Sequence, residues 1–416
     1  MQDILGRRGF LKKTGVSAAG LTVGISGCIV KKTDEEGGSG GSVSLGALLP
    51  MSGELHAFGP DMKKGVGLAV EHVNSGGGVF GSDTEIHYAD TETDPGVAVD
   101  RYGSMVKEKD IDGFVGAASS TVSSSLLSEA VKDEVMQVSS GSTSPEFAYQ
   151  GFKDGYKYFG RTIPNDGLQA RVMARILIKK EFIEADSAAF VYVDNEYGKG
   201  LANEASLMFD GEITSITPFD QDKVDIDSLV EKTYGDDPDA VVLIAYPHNG
   251  KEFVETVSDK GHKAGLVLSE SLNTKKDFIN PLGDKLNDAY FALPDPRESK
   301  GTRSFKKQVG DVDNVMTAAR AYDAVMLQAL AAEKEGEASG TAIAKNIRSV
   351  SMPPGKKVTA GEFGRARKIL GDGKRINYDG ASGTVNLNEN LDPRTPFGIY
   401  KLKDGELEKK RHVPVI

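Results

Sequence analysis

Cysteine is nearly absent from this sequence, because Cys28 is the only one among 416 residues. A single thiol cannot form an internal disulfide, and it has no second cysteine with which to build a metal site. The histidines are also few and show no metal-ligand spacing. They are His56, His72, His87, His248, His262 and His412. We therefore expect no bound metal and no other cofactor.

The local signatures of common enzyme classes are absent as well. The chain has no G-x-x-x-x-G-K-[ST] phosphate loop. The letters G-x-S-x-G occur only at Gly37–Gly41, in a polar glycine-rich segment, and G-x-G-x-x-G only at Gly76–Gly81, after a helix pattern. Neither lies at a strand-to-helix turn, so neither is a nucleophile turn or a dinucleotide fingerprint. Serines are abundant, but none forms a recognisable hydrolase pattern with His248. The sequence therefore predicts a protein that is not an enzyme.

A long apolar run is missing too. The segment Val16–Ile25 is too short, and too rich in Gly, Ser and Thr, for a stable membrane span. Acidic side chains outnumber basic ones beyond the N-terminal region: the whole chain carries -11 and residues 1–27 carry +3, so residues 28–416 carry -11 - 3 = -14. Such an acidic body argues against nucleic acid or an anionic lipid surface as a partner.

The N-terminal region has the pattern of an export signal. Arg7–Lys13, RRGFLKK, is a twin-arginine pattern, and Ile25–Cys28, ISGC, is a lipobox. We predict a signal over residues 1–27, cleavage before Cys28 and a lipid on its thiol. The polar, glycine-rich segment 28–42 is then a flexible tether. This interpretation places the protein outside the cytoplasm, anchored to the outer face of the cell membrane.

Hydroxyl side chains cluster twice in the stretch from Gly116 to Pro145. One cluster, Ser119–Thr121, precedes an amphipathic helix, and the other, Ser139–Thr143, follows a buried strand. Both clusters therefore fall at the carboxyl ends of neighbouring parallel strands, which is where open α/β sheets bind ligands. With helix N–H groups and no nearby Lys or Arg, this edge suits a small carboxylate or another polar group. The alternative is that these residues only cap a helix and fill loops.

Strand and helix patterns alternate along the chain in two successive blocks, which predicts parallel sheets and an α/β fold. Within these blocks lie six short motifs of defined order and spacing. They are Pro50–Gly53 with Phe58–Gly59, Asn74–Gly77, Asp94–Pro95 with Ala98, Gly116–Ser120, Ser142–Glu146 and Asp194–Gly198. Over about Val43 to Tyr400 the chain resembles the branched-chain amino acid (Leu/Ile/Val) type of ABC-transporter substrate-binding protein.

The resemblance implies a type I periplasmic-binding fold, in which two Rossmann-like lobes are joined by three hinge crossovers. We expect the crossovers near Arg161–Ile163, Phe291–Asp295 and Pro393–Pro396. The N-terminal lobe then comprises residues 43–162 plus 294–395, and the C-terminal lobe residues 163–293 plus 396–416.

The segment 315–332, apolar on two sides, is expected to be a core helix of the N-terminal lobe, with Tyr322 in the core rather than on the cleft floor. Strands are predicted over Gly383–Leu387 and Phe397–Leu402, and the second of these is expected to return to the C-terminal lobe.

The resemblance also implies a ligand site in the cleft between the lobes. Its predicted residues are Phe58, Ser119, Ser120, Gly141, Ser142, Thr143, Tyr197, Tyr246 and Glu270. The hydroxyls and the backbone near Gly141 match positions that hold an amino acid's α-carboxylate, and Glu270 matches the acid that pairs with its ammonium. Tyr197 and Tyr246 match aromatic walls. Phe58 stands where the family often has Tyr, which predicts a more apolar side-chain pocket.

The implied function is the solute-binding component of an ABC importer that delivers an aliphatic amino acid to permease and ATPase subunits. Two alternatives stay open from the sequence. The ligand could be a short amide or urea-like solute, which has no ammonium and would not need Glu270. The protein could also be a sensor whose closure is read by a signalling partner.

Overall fold

The computed structural model describes residues 41–415, so the predicted signal, the lipobox with Cys28 and most of the tether lie outside the described residues. The first block alternates strands and helices as the patterns predict. Its elements are β1 (Ser44–Leu49), α1 (Gly59–Ser75), β2 (Glu85–Asp90), α2 (Pro95–Lys109), β3 (Gly113–Val115), α3 (Ser120–Asp133), β4 (Met136–Ser139), β5 (Phe152–Lys153), β6 (Tyr156–Lys157) and β7 (Phe159–Arg161).

These strands build a five-stranded sheet in the order β2-β1-β3-β4-β7, with every pair parallel. β1 lies between β2 and β3 and is buried from Leu45 to Leu49, as expected for an inner strand covered by helices on both faces. Because the strands are parallel, the ends of β3 and β4 point to the same edge of the sheet. This edge carries both hydroxyl clusters.

The second block also alternates strands and helices. Its elements are α4 (Asp166–Ile178), β8 (Ser187–Val193), α5 (Glu196–Leu207), β9 (Glu212–Phe219), α6 (Ile226–Tyr234), β10 (Ala240–Ile244), α7 (Pro247–Lys260), β11 (Gly265–Leu268), α8 (Asn280–Leu282) and β12 (Tyr290–Pro294). Short 3-10 and π turns lie between β11 and β12 at Glu270–Leu272, Lys275–Ile279 and Gly283–Leu286.

The remaining elements follow β12. They are α9 (Lys300–Gln308), α10 (Val315–Glu335), α11 (Gly340–Ser351), β13 (Lys356–Thr359), α12 (Phe363–Gly371), β14 (Ile376–Asp379), β15 (Phe397–Lys403) and β16 (Glu406–Val413). The second sheet has the order β16-β15-β12-β11-β10-β8-β9, in which β15 runs antiparallel to both of its neighbours, β12 and β16, while the other pairs are parallel. The strand predicted over Phe397–Leu402 thus returns to the second sheet, as expected.

Helix α10 belongs to the first lobe, where it packs along α1, α11 and α12. Its side chains from Ala318 to Ala332 are almost all buried, which explains why the sequence shows apolar residues on two sides of this helix. Tyr322, predicted to be core rather than cleft floor, is fully buried, and its hydroxyl bonds His72 and the Gly361 backbone. Two sheets with their own helices therefore form the predicted pair of α/β lobes.

The chain passes between the two lobes three times, after β7, after β12 and before β15. These passages coincide with the predicted crossovers, while the exact residue boundaries of the lobes stay a prediction. One element was predicted wrongly: Gly383–Leu387 forms no strand, and only isolated bridges join Gly380 to Gly383 and Leu387 to Pro393. Within residues 41–415, no helix has the length and apolarity needed to cross a membrane.

A buried carboxylate joins α10 to the segment after β14. Asp323 accepts hydrogen bonds from the Tyr378 hydroxyl at 2.6 Å, the Ala381 N–H at 2.7 Å, and the N–H and hydroxyl of Ser382 at 2.8 and 2.5 Å. Burial nevertheless raises the pKa of Asp323 to about 6, although these donors oppose the shift. The folded state therefore holds a proton on Asp323 at a pH where the unfolded chain has lost it.

We expect this residue to make stability depend on pH. At pH values between the unfolded pKa near 3.9 and the folded pKa near 6, the native state binds more protons than the unfolded chain. The contribution of Asp323 to the free energy of unfolding therefore falls as the pH rises, by roughly 3 kcal/mol in total. Asp323→Asn should flatten that slope, whatever its effect at a single pH. Guanidinium unfolding from pH 4 to 7 measures it. Asp379→Asn, in the adjacent strand, is the matched control and should keep the wild-type slope; an unchanged slope in Asp323→Asn contradicts the assignment.

Candidate functional site

A cavity of about 260 Å³ lies between the two lobes. Both lobes and the passages between them contribute to its wall. Its lining residues are Leu55, Phe58, Met62, Ala118, Ser119, Ser120, Ser140, Gly141, Ile163, Tyr197, Tyr246, Glu270, Ser271, Asn273, Leu293, Pro294, Asn314, Met316, Thr317, Arg320, Tyr400 and Leu407. Seven of the nine predicted ligand residues are among them: Phe58, Ser119, Ser120, Gly141, Tyr197, Tyr246 and Glu270.

The first-lobe wall is formed by the N-terminus of α3. Ser119 occupies the cap position with an extended backbone, but its side chain accepts no hydrogen bond from the helix. Ser120 begins the helix, and its hydroxyl accepts the Ser144 N–H at 3.3 Å. An uncapped first turn leaves N–H groups and their positive partial charge directed toward the cavity. This wall is therefore suited to an anionic or carbonyl oxygen.

The second hydroxyl cluster divides into two parts. Ser140 and Gly141 line the cavity, whereas Ser142 and Thr143 are buried outside its lining. The Ser142 hydroxyl donates to the Ala117 carbonyl at 3.1 Å and to the Ser123 hydroxyl at 2.8 Å. Its role in the structure is thus to connect the two loops.

Gly141 permits this close approach of the two loops. A Cβ at this position would lie 2.8 Å from the Ala118 carbonyl oxygen and 2.9 Å from its Cα, both shorter than real Cβ contacts. The Ser139 hydroxyl accepts the N–H groups of Gly141 and Ser142 at 3.2 and 2.8 Å and so shapes the turn. The loop after β4 is therefore held against the end of β3 by its own hydroxyl groups.

Two tyrosines form the aromatic wall of the second lobe. Tyr197, in the first turn of α5, and Tyr246, at the start of α7, have nearly parallel rings with centroids 6.0 Å apart. The Tyr246 hydroxyl accepts a hydrogen bond from Asn195 at 3.1 Å, and the Tyr197 hydroxyl lies 2.9 Å from the Ser271 hydroxyl. Both rings are buried and held in place by these bonds.

Glu270 follows β11 and is the only acidic side chain in the lining formed by the described residues. The Tyr197 hydroxyl donates to its Oε2 at 3.3 Å. Burial raises the pKa of Glu270, while Gln169, its own N–H, Arg320 and Tyr197 oppose the shift. Behind it lies Asp166, whose pKa is raised well above the usual range by burial and by the charge of Glu270. Of these two carboxyl groups, Glu270 is the one that lines the cavity.

Most of the remaining wall is apolar. Phe58, which ends the loop after β1, is buried beside Leu55 and Met62, and Met316 contributes from α10. At this position a tyrosine would add a hydroxyl, so phenylalanine keeps this side of the cavity free of hydrogen-bonding groups. The cavity can thus hold a small molecule with polar groups at one end and an apolar part at the other.

Direct hydrogen bonds join the two lobes around the cavity. The Glu196 N–H donates to the Thr121 hydroxyl at 3.3 Å, and the Asn314 side chain donates to the Asn273 carbonyl at 3.3 Å. The Lys275 N–H donates to Asp313 at 3.1 Å. These bonds lie at the mouth and floor of the cleft, so the lobes are in contact around the site.

Several lining residues were not predicted from the sequence. Arg320 is the only basic side chain in the lining formed by the described residues, and it lies in a mostly buried stretch of helix α10. The local sequence around it indicates burial and does not distinguish a cleft position. Tyr400 and Leu407 come from the C-terminal strands, and nothing in their local pattern indicates a cleft position. Within residues 41–415, no group of three or more His, Cys, Asp or Glu side chains is arranged to hold a metal ion.

Comparisons with known proteins agree with this architecture. The family described as Periplasmic binding protein matches residues 42–374. The chain is 33% identical over 375 residues to the chemotactic signal transduction system substrate-binding protein BasB of Halobacterium salinarum, covering 89% of this chain and 90% of that protein. It is 26% identical to Leu/Ile/Val-binding protein homolog 3 of Brucella melitensis, covering 88% of this chain and 92% of that protein.

Solved structures show the same fold. The branched-chain amino acid transporter substrate-binding protein LivJ of Streptococcus pneumoniae, in complex with isoleucine, superposes with a TM-score of 0.74 at 20% identity, covering 90% of this chain and 99% of that one. The leucine-binding protein LivK of Thermotoga maritima superposes with a TM-score of 0.75 at 20% identity, covering 89% of this chain and 99% of that one. The predicted resemblance, the two-lobed fold and a binding rather than enzymatic role are confirmed. This chain belongs to the periplasmic binding protein family.

Proposed function

We propose that this protein binds an α-amino acid with an apolar side chain in the cavity between its lobes. The observation that carries the proposal is the distribution of polar groups around one small cavity. Ser119, Ser120 and the N-terminus of α3 lie on the first-lobe wall, and Glu270 lies on the second-lobe wall. A carboxylate suits the first wall and an ammonium suits the second, while the apolar lining receives the side chain.

Such a ligand would couple binding to closure. A zwitterion that contacts both lobes at once stabilises the closed arrangement, because it makes those contacts only there. The hydrogen bonds of Glu196 to Thr121 and of Asn314 to Asn273 add to the same arrangement. The closed body is then the form that a membrane partner distinguishes from the open one.

The first candidate partner is the permease of an ABC importer, with its ATPase subunits. This choice is supported by the family and by the transporter and Leu/Ile/Val-binding relatives. Export through the twin-arginine route and a lipid on Cys28 would hold the protein at the outer face of the membrane. Both remain predictions from the sequence.

Chemosensing is the second candidate. The chain is 33% identical to a relative named as a chemotactic signal transduction substrate-binding protein. The cavity serves either role, because an importer and a receptor both need a body that closes on its ligand. Deleting the gene separates the two: loss of uptake of labelled leucine supports transport, and loss of movement toward leucine with normal uptake supports sensing.

We expect leucine, isoleucine or valine to raise the melting temperature of the purified protein. A ligand present at about 100 times its Kd, and bound only by the folded state, stabilises that state by about 2.7 kcal/mol. A thermal-shift screen of the standard amino acids, with simple amides and urea alongside, measures the effect. A response to amides alone would favour the alternative ligand class, and the absence of any amino acid response would overturn the proposal.

A further inference from the structure

Within the part of the chain that the structure describes, the side chain of Arg320 has no polar partner. Arg320 lies on α10, lines the cavity and is partly exposed. Its backbone carbonyl accepts the Thr162 hydroxyl at 2.8 Å, which ties this turn of the helix to the first passage between the lobes. Across residues 41–415, no acceptor lies within hydrogen-bonding distance of the guanidinium and no carboxylate within ion-pair distance.

The environment of Arg320 makes this arrangement unfavourable without a ligand. A guanidinium carries five N–H donors in a rigid planar fork, and donors left unpaired in a water-poor site destabilise it. Burial lowers the pKa of Arg320 to about 10, and the negative charge of Glu270 opposes the shift. Arg320 therefore stays positively charged at neutral pH, with its donors facing the cavity.

The charges of Arg320 and Glu270 limit which group of the ligand can bind the Arg320 side chain. The two side chains interact electrostatically, but they lie too far apart for an ion pair. In an α-amino acid the ammonium and the carboxylate are separated by one carbon atom. The carboxylate and the side chain are both attached to that carbon, and the positive charge of Arg320 favours the carboxylate over an apolar side chain beside it.

The carboxylate can serve both positive walls at once. Its two oxygens offer about four acceptor positions, so it can accept from Arg320 and from the first turn of α3 together. Charge balance agrees, because Glu270 and Arg320 sum to zero and a zwitterion keeps the closed site neutral. A neutral amide or urea would supply only a carbonyl oxygen to a guanidinium that favours an anion.

We propose that Arg320 binds the α-carboxylate of the ligand and thereby selects amino acids over their amides. This inference rests on the proposed function, since it takes the ammonium of the ligand to lie at Glu270. It identifies Arg320 as a specificity-determining residue that local sequence patterns do not indicate. Together with Glu270, it would hold the charged end of the ligand and leave the apolar lining for the side chain.

The test compares L-leucine with L-leucinamide, which keeps the ammonium and lacks the carboxylate. Wild-type protein should bind leucine much more tightly than leucinamide in calorimetry. Arg320→Met, similar in length and compatible with a helix, should weaken leucine binding on the order of 100-fold and change leucinamide binding less than threefold. Arg320→Lys keeps the charge but loses the planar fork, so its loss should be roughly tenfold.

Arg303→Met, on the exposed face of α9, is the matched control and should bind leucine as the wild type does. Circular dichroism confirms that each variant is folded. If Arg320→Met weakens the binding of leucine and of leucinamide equally, or weakens the binding of neither, Arg320 does not bind the carboxylate. In that case only this inference fails. Tighter wild-type binding of glutamate than of leucine would also overturn it. If wild-type protein binds no amino acid, the proposed function fails first.

Discussion

Replacing Glu270 with glutamine should weaken leucine binding by about 2–5 kcal/mol, the usual cost of leaving one charge of a buried pair without its partner. Glu270 is the only acidic group in the lining formed by the described residues, so no other carboxylate there can take over the ligand ammonium. Glutamine has nearly the same shape and keeps a carbonyl acceptor for the Tyr197 hydroxyl. The loss would therefore measure the charge rather than the packing.

The pH dependence of binding gives a second readout for the same substitution. Burial raises the pKa of Glu270, and an ammonium binds only the ionised carboxylate. Leucine affinity should therefore fall as the pH drops through that raised pKa, and Glu270→Gln should remove this dependence. Calorimetry of wild type and variant across a range of acidic pH measures both effects.

Glu252→Gln provides the matched control, because Glu252 lies on the exposed side of α7 beside His248. It should bind leucine like the wild type at every pH. Unchanged leucine affinity in a folded Glu270→Gln variant would show that no ammonium lies at Glu270. In that case an amide or urea-like ligand becomes the better interpretation of the cavity.

The parts of this site that could be predicted from sequence are those fixed by the ends of parallel strands. Ser119, Tyr197, Tyr246 and Glu270 each follow a buried strand within a few residues. In parallel sheets such positions share one edge, so four residues far apart in the chain meet in one cavity. The order of strands and helices in the two blocks could also be predicted, because alternating buried strands and amphipathic helices leave a regular pattern in the sequence.

Other features depend on contacts that a local pattern does not carry. Ser142 and Ser120 have the same side chain in similar loops, but Ser142 turns inward to Ser123 while Ser120 faces the cavity. Arg320 lies in a helix whose other residues indicate only burial. The strand predicted over Gly383–Leu387 was wrong: Val385 and Leu387 are buried, but the segment forms only isolated bridges and joins no sheet.

The second large effect that we expect concerns Arg161, which lies at the end of β7, where the chain first leaves the first lobe. Its Nε donates to Asp392 Oδ1 at 2.5 Å, and both side chains are almost fully buried. Its Nη1 also donates to the carbonyls of Ser142 and Ser144, at 3.2 and 2.8 Å. One guanidinium thus connects the first passage, the third passage and the loop behind the cavity.

Asp392→Asn should lower the free energy of unfolding by about 3–5 kcal/mol, because it leaves the Arg161 charge buried without a counterion. The new amide would also direct its NH₂ group toward Asn165, whose own amide now donates to Asp392 at 2.9 Å. Guanidinium unfolding followed by circular dichroism measures the loss. For comparison, Glu298→Gln breaks the exposed pair with Lys306, at 2.9 Å, and should leave the free energy of unfolding nearly unchanged.

Removing both charges separates the electrostatic cost from the loss of packing. The double substitution Arg161→Met with Asp392→Leu should cost less than the sum of the two single substitutions, by about 1–3 kcal/mol, because neither charge is then left alone. It still frees the Ser142 and Ser144 carbonyls, so the loop behind Gly141 should loosen and leucine affinity should fall even where stability recovers. Two outcomes would show that Arg161 supports the fold without positioning the ligand wall. One is that the losses of unfolding free energy in the two single variants simply add in the double variant. The other is that the double variant recovers stability and binds leucine with wild-type affinity.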